Sequence, residues 1–307
     1  MKWTGVMPAV TTCFTESYEV DYTFMATHAN WLVANGCTGI VALGSLGEGA
    51  TLGFEEKVKI LKTFTSALNG KAPVVAAISA LSTPEAISLA KAAEQAGCSG
   101  LMILPPYVYQ GDWREMKTHV SAVLKQIQLP AMLYNNPVAY GTDFKPEQIR
   151  ELANEHASLQ AVKESSTDVR RVTAIRALLD DRLAIFVGVD DAILEGISAG
   201  AVGWIAGLAD ALPRESVDLF NFGIAGKTRE AFELYRWFLP LLRLDTVPKF
   251  VQLIKLVQQE LSVGNARVRG PRLEISGDEL RATHELIRNT VNSRPTVCKP
   301  STPLVRS

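Results

Sequence analysis

The run Leu159-Gln160-Ala161-Val162-Lys163 places a lysine where a lysine is hard to explain on structural grounds. The apolar residues read as a buried strand, and Glu164-Ser165-Ser166-Thr167-Asp168 reads as a turn into a helix capped by Ser166, Thr167 or Asp168. An ammonium at the end of a buried strand is costly to desolvate, so its side chain either escapes to solvent, pairs with Glu164, or does chemistry. The chemistry open to a lysine amine is imine formation with a carbonyl compound, which requires the neutral base. At an ordinary pKa of about 10.4, only ~1 lysine in 2,500 is neutral at pH 7, and burial raises that fraction. The other lysines fit less well: Lys71 precedes a strand, Lys57, Lys59, Lys62, Lys91, Lys117 and Lys125 fall on helix-like stretches, and Lys249 and Lys255 belong to C-terminal helices.

Two further stretches suit the same chemistry. Tyr134 ends the strand Pro130–Tyr134, and a tyrosine hydroxyl beside an amine can give and take the proton that an imine needs as it forms and breaks; the plainer alternative is a core tyrosine with a satisfied hydroxyl. The glycine-rich turn Gly44-Ser45-Leu46-Gly47-Glu48-Gly49 offers backbone N–H groups to a carboxylate, although such turns are common.

The elements that must hold these residues repeat along the chain. Gly36-Cys37-Thr38-Gly39, Gly97-Cys98-Ser99-Gly100 and Gly200-Ala201-Val202-Gly203 each join the end of a helix-like stretch to an apolar strand. Eight strands are expected, at 6–12, 39–43, 73–78, 100–104, 130–134, 159–163, 183–187 and 202–206. The helices between them are expected at 22–34, 54–68, 84–96, 112–126, 146–155, 168–179, 190–199 and 213–224, and Pro84, Pro146 and Pro213 suit first helical positions. Strict alternation with continuous apolar strands predicts an α/β fold of the (β/α)8, or TIM-barrel, type. A dinucleotide-binding sheet is a poorer fit, since the turn after the first strand, Thr12 to Glu16, has no glycine. Three amphipathic stretches, 228–242, 247–261 and 278–291, predict a C-terminal three-helix extension. Residues 1–226 are therefore read as the barrel with the active site, 227–292 as the helical region and 293–307 as a flexible tail. In such a barrel the active site forms at the C-terminal ends of the strands, where Ser45, Tyr134 and Lys163 all fall.

Bulk properties remove other classes. The 307 residues are 47% hydrophobic and 21% charged with a net charge of -1, so nothing favours nucleic acid or an anionic membrane surface. Cys13, Cys37, Cys98 and Cys298 are scattered, with no CxxC, and no apolar run reaches the ~18 residues that would span a bilayer. Neither a signal peptide nor a metal or other cofactor is indicated, and the chain reads as cytoplasmic.

Taken together, Gly44-Ser45-Leu46-Gly47-Glu48, Tyr134-Asn135-Asn136-Pro137 and Val162-Lys163-Glu164-Ser165 resemble the motifs of the dihydrodipicolinate synthase/N-acetylneuraminate lyase family of class I, Schiff-base-forming aldolases, from Gly5 to about Ile287. The resemblance implies that Lys163 binds a small-molecule 2-oxo acid such as pyruvate as an imine. It further implies that Tyr134 shuttles protons, that Ser45 relays them to Tyr134, and that the N–H groups near Ser45 and Leu46 hold the substrate carboxylate. Gly188 and Ile205 match pocket-lining positions, and the chain is expected to self-associate as a homotetramer.

Three departures modify those expectations. Leu46 replaces a hydroxyl residue, and Val108 stands where a neighbouring subunit's tyrosine would complete the relay, with Tyr109 a possible substitute. Ala139 stands where dihydrodipicolinate synthases carry an arginine, and alanine makes no bidentate carboxylate contact. The expected function is a Schiff-base lyase acting on pyruvate or a 2-oxo(-3-deoxy) acid. The alternatives are a dehydratase or deaminase using the same imine, for example on a hydroxypyrroline carboxylate, dihydrodipicolinate synthase itself, and a non-catalytic oxo-acid binder.

Overall fold

A computed structural model of the chain describes residues 1–305. The strands are β1 (Gly5–Pro8), β2 (Ile40–Ala42), β3 (Val74–Ile78), β4 (Gly100–Ile103), β5 (Ala131–Asn135), β6 (Leu159–Glu164), β7 (Ala184–Val187) and β8 (Gly203–Ala206). All pair in parallel, in the order β1-β8-β7-β6-β5-β4-β3-β2. The ring is closed between β1 and β2 by bonds from the Val10 N–H to the Val41 carbonyl (2.9 Å) and from the Thr38 N–H to the Val6 carbonyl (2.9 Å). Almost every strand residue is buried, as expected of strands covered by helices outside and by side chains inside.

Between the strands run α1 (Tyr22–Ala34), α2 (Phe54–Leu68), α3 (Thr83–Gln95), α4 (Trp113–Leu124), a single turn α5 (Pro137–Tyr140), α6 (Pro146–Glu155), α7 (Arg170–Leu179), α8 (Ile193–Ser198) and α9 (Pro213–Ile224). Local chemistry sets their ends. Asp112 caps α4 by accepting the Glu115 N–H (2.9 Å), while the Glu115 carboxylate returns to the Asp112 N–H (2.9 Å), so two orphan donors are satisfied reciprocally. At the repeated junctions Gly36, Gly97 and Gly200 take φ of 100°, 83° and 106°, a left-handed conformation that closes a helix and is strained for any side chain. The expected strands and helices are all present, most ends shifting by one to four residues. The turn α5 is an addition to the expected set.

After β8 and α9 come α10 (Thr228–Leu242), a turn at Arg243–Asp245, α11 (Phe250–Glu260) and α12 (Gly277–Asn292). Helix α11 is clamped to the mouth of the barrel: Gln258 accepts the Thr11 hydroxyl (2.9 Å) and donates to the Asp210 carbonyl (3.3 Å), and Lys255 pairs with Glu48 (2.8 Å). Residues 293–305 form no helix or strand, yet they are docked where a flexible tail was expected. Arg294 and Ser301 bind Glu215 (2.7 and 2.6 Å), the Trp31 indole donates to the Thr302 carbonyl (2.6 Å), and Cys298 is buried. Among the described residues no helix is long and apolar enough to cross a membrane.

Candidate active site

Strand register brings the two principal candidates together. Tyr134 of β5 and Lys163 of β6 are direct partners, and Lys163 in turn faces Phe186 of β7. Partners in a parallel sheet point to the same face, so both side chains enter the barrel at its C-terminal end. The Lys163 ammonium lies 4.1 Å from the centroid of the Tyr134 ring, an arrangement that holds a cation by the ring quadrupole. Lys163 is 6% exposed, and among the described residues no carboxylate lies within ion-pair distance of it. Glu164, the plainest alternative partner, is spent elsewhere: its carboxylate accepts from Asn135 (3.0 Å) and from the Ser166 N–H (2.6 Å), tying the ends of β5 and β6 together. Burial raises the pKa of that carboxyl above the usual carboxylate range.

Gly188, just past β7, has a spatial reason to be glycine. A β-carbon there would come within 2.5 Å of Lys163 Cε and 2.8 Å of Cγ, so the lysine stem lies in a notch that only glycine leaves. The Ser165 hydroxyl packs on the same notch and has no hydrogen-bond partner among the described residues. Ile205 is buried on β8, in register with Met7 of β1 and on the interior face, but two strands away from Lys163.

The tyrosine surroundings differ from expectation. Ser45 does not bond to Tyr134: its hydroxyl is hydrogen-bonded to the hydroxyl of Tyr140. The Tyr140 ring then packs edge-on to Tyr134 (centroids 5.8 Å apart) and against Tyr107 (5.6 Å). Burial, then the neighbouring Tyr134 and Tyr107 hydroxyls, push the Tyr140 pKa well above its ordinary value, so this hydroxyl stays protonated at neutral pH. Asn136 arranges both tyrosines. Its Oδ1 caps α5 by accepting the Ala139 N–H (3.0 Å), which sets the turn that delivers Tyr140, and its Nδ2 donates to the Tyr134 hydroxyl oxygen (3.0 Å). The Tyr109 hydroxyl lies on the surface of this chain and donates to Glu115 (2.8 Å) on α4. Val108 is 97% exposed at φ 70°.

The glycine-rich turn holds its shape through bonds from the Glu48 N–H to the Ser45 carbonyl (3.1 Å) and from the Gly49 N–H to the Gly44 carbonyl (3.1 Å). The N–H groups of Ser45 and Leu46 find no acceptor among the described residues, as an anion cradle requires, while the Leu46 side chain is buried. Leu43, Glu48, Val108 and Thr167 all carry positive φ (67°, 54°, 70° and 67°), and all lie in the loops that follow strands at this end. Strain of that kind, most costly at the β-branched Val108 and Thr167, collects where a site is held by its surroundings.

Two more carboxyls complete the rim. Asp190, fully buried, accepts from the Trp204 indole (2.9 Å) and from the N–H groups of Gly207 (3.1 Å) and Leu208 (2.9 Å), and burial pushes its pKa up to about 6. Asp245, on the turn between α10 and α11, lies against Gly207. Sequence reasoning passed over Tyr140, Asn136 and Asp245. Only Asn136-Pro137, a cap residue before a proline, carried a local signal.

A parallel barrel with a buried lysine and tyrosine paired across β5 and β6 is the architecture of a class I aldolase. The chain belongs to the Dihydrodipicolinate synthetase family, whose description it matches over residues 2–290, and it is therefore a lyase of the Schiff-base-forming, class I aldolase type. Among curated relatives it is 33% identical over 231 residues to the 4-hydroxy-tetrahydrodipicolinate synthase of Methanococcus aeolicus, covering 75% of this chain and 79% of that protein. Among solved structures it resembles dihydrodipicolinate synthase from Aquifex aeolicus, with 26% identity, a TM-score of 0.90, and 96% and 100% of the two chains covered. It also shares its fold with YagE, a prophage protein of the same family from E. coli K12 solved in complex with pyruvate (23% identity, TM-score 0.89, 94% and 99% covered).

Proposed function

We propose that this protein acts on pyruvate or a 2-oxo(-3-deoxy) acid through an imine at Lys163. The observation that carries this reading is a buried amine with no carboxylate partner, set on the face of a tyrosine at the catalytic end of the barrel. Water is largely excluded there, and no carboxylate among the described residues ties the amine up in an ion pair, so it is left to act as a nucleophile. The amine attacks the substrate carbonyl, Tyr134 supplies the proton that lets water leave, and the protonated imine then draws electrons from the adjacent carbon to give an enamine. The substrate carboxylate rests on the free N–H groups of Ser45 and Leu46, with Gly188 and Ile205 lining the pocket. Protons pass between Tyr134 and the outside through Tyr140 and Ser45, with Asn136 supporting the oxygen of Tyr134 whenever it carries charge.

The name borne by the methanococcal relative, 4-hydroxy-tetrahydrodipicolinate synthase, is the weaker reading for this chain. Ala139 is exposed on α5 and offers no cation to the carboxylate of a second substrate. The pyruvate bound to YagE supports the first substrate in a relative of the same fold. Assembly into a homotetramer belongs to the same proposal, with the exposed Val108 as a residue that a neighbouring copy would cover.

Exchange of the pyruvate methyl protons in deuterated water tests this reading, because the enamine makes them labile far faster than enolisation of pyruvate in solution does. Wild-type protein is expected to exchange them, and Lys163→Ala to stop the exchange. Exchange that survives Lys163→Ala contradicts the assignment.

A further inference from the structure

The turn between α10 and α11 places a carboxyl in the mouth of the barrel. Gly188 and Gly207 follow β7 and β8 and lie on the interior face set by Phe186 and Gly203, which are register partners. A β-carbon on Gly188 would collide with the Lys163 stem; one on Gly207 would fall within 2.6 Å of the Asp245 Cγ. The two glycines thus leave two notches, one filled by the lysine and one by the carboxyl of Asp245. Asp245 is half-buried, and its carboxyl has no hydrogen bond or ion pair among the described residues. Arg243 on the same turn is taken by Asp191 (3.4 Å), and Asp190 is saturated by the Gly207 and Leu208 N–H groups and the Trp204 indole. A carboxyl with no structural partner, held in a space that only glycine allows, is free to meet a substrate.

We propose that Asp245 is a catalytic residue, the general acid that protonates a leaving hydroxyl or amine on a substrate bound at Lys163, so that the site carries out elimination. This deepens the reading above and rests on the imine at Lys163. Loss of a proton from the carbon next to the imine gives the enamine. The enamine electron pair then returns to form a double bond between that carbon and the next one, whose bond to oxygen or nitrogen breaks. The Asp245 proton goes to the departing atom, giving water or ammonia, a conjugated iminium and the Asp245 carboxylate. Carbon–carbon cleavage makes the opposite demand, since a base must take a proton from the hydroxyl of the substrate.

The surroundings of Asp245 match the acid. Burial, followed by the Asp190 carboxyl, raises its pKa well above the carboxylate range, Asp210 and Asp191 add to the rise, and Lys163 opposes it. One Asp210 oxygen is itself buried without a hydrogen-bond partner among the described residues, and Arg243, the cation on the turn, is held by Asp191. The sign follows: elimination needs the protonated form, so its rate falls as pH rises through the elevated pKa.

The test uses the full chain with 2-oxo-3-deoxygluconate, its diacid and its 4-amino analogue. Wild type is expected to release water or ammonia without releasing pyruvate. Asp245→Asn is expected to lower kcat for that release about 10²–10³-fold and to remove the high-pH limb of the profile. Borohydride trapping of pyruvate at Lys163 should persist in Asp245→Asn, which shows that the variant is folded and that the imine chemistry is intact. Trapping at Lys163 in wild type with only carbon–carbon cleavage, with no turnover of any of the three compounds, or with release unaffected by Asp245→Asn overturns the role of Asp245 and leaves the imine standing. Absence of trapping in wild type overturns both.

Discussion

Lys163 and Lys255 are both buried, at 6% and 1% exposed, and they stand in opposite electrostatic settings. Lys255 on α11 donates to the Glu48 carboxylate (2.8 Å) and the Thr12 carbonyl (2.8 Å), and its ammonium sits 4.5 Å above the Phe14 ring. Burial lowers its pKa, while Glu48 opposes that shift. Lys163 also lies on an aromatic face, but where Lys255 has a carboxylate it has a tyrosine cluster and a glycine notch. Burial is therefore not what distinguishes a reactive lysine. The lysine with a partner fastens α11 to the barrel mouth, and the lysine without one has its amine to spare.

The comparison predicts opposite consequences for one substitution. Lys163→Met is expected to abolish pyruvate exchange, a loss of about 10⁴-fold or more, while leaving the melting temperature unchanged or higher, because a methionine stem replaces a buried amine with no ion-pair partner. Thermal melts showing clear destabilisation would mean that Lys163 has a structural partner after all. Lys255→Met strands the Glu48 carboxylate and is expected to destabilise by about 3 kcal/mol, at the low end for a broken buried pair. The Arg269 N–H (2.9 Å) and the Arg272 guanidinium (3.9 Å) still face Glu48. Denaturant unfolding measures this loss, and adding Glu48→Gln should recover part of it; full stability in Lys255→Met would break the contrast.

Smaller effects probe what surrounds Lys163 in place of a carboxylate. Tyr140→Phe is expected to lower kcat about 10²-fold with KM little changed, since it interrupts proton passage and leaves binding alone. Steady-state kinetics showing less than a threefold drop would remove Tyr140 from the path. Tyr109→Phe, whose hydroxyl is committed to Glu115, is expected to stay within about twofold of wild type in the same assay.

The barrel was legible because apolar strands alternate with helix-like stretches along the chain, and because glycines such as Gly36, Gly97 and Gly200 mark several of the junctions where a helix closes and the next strand begins. The juxtaposition of Tyr134 and Lys163 followed from the same count, since sequential strands are neighbours in a barrel. Tyr140 was not legible as a site residue, because α5 is one turn long and four residues carry no periodicity. The partner of Lys255 was hidden for another reason. Leu253, Ile254, Leu256 and Val257 mark α11 as buried, but Glu48 is 207 positions away, and nothing in either segment names the other. Asp245 combines both difficulties, sitting on a short turn of the C-terminal region whose contact at Gly207 exists only once that region has docked. Docking of residues 293–305 likewise depends on Glu215, Asn35 and Trp31, all distant in sequence.

The most direct test of the contrast between the two lysines is reduction with borohydride in the presence of pyruvate, followed by peptide mass mapping. The structure predicts a stable adduct on the peptide containing Lys163 and none on the peptide containing Lys255. An unmodified Lys163, or an adduct distributed among other lysines, would contradict it.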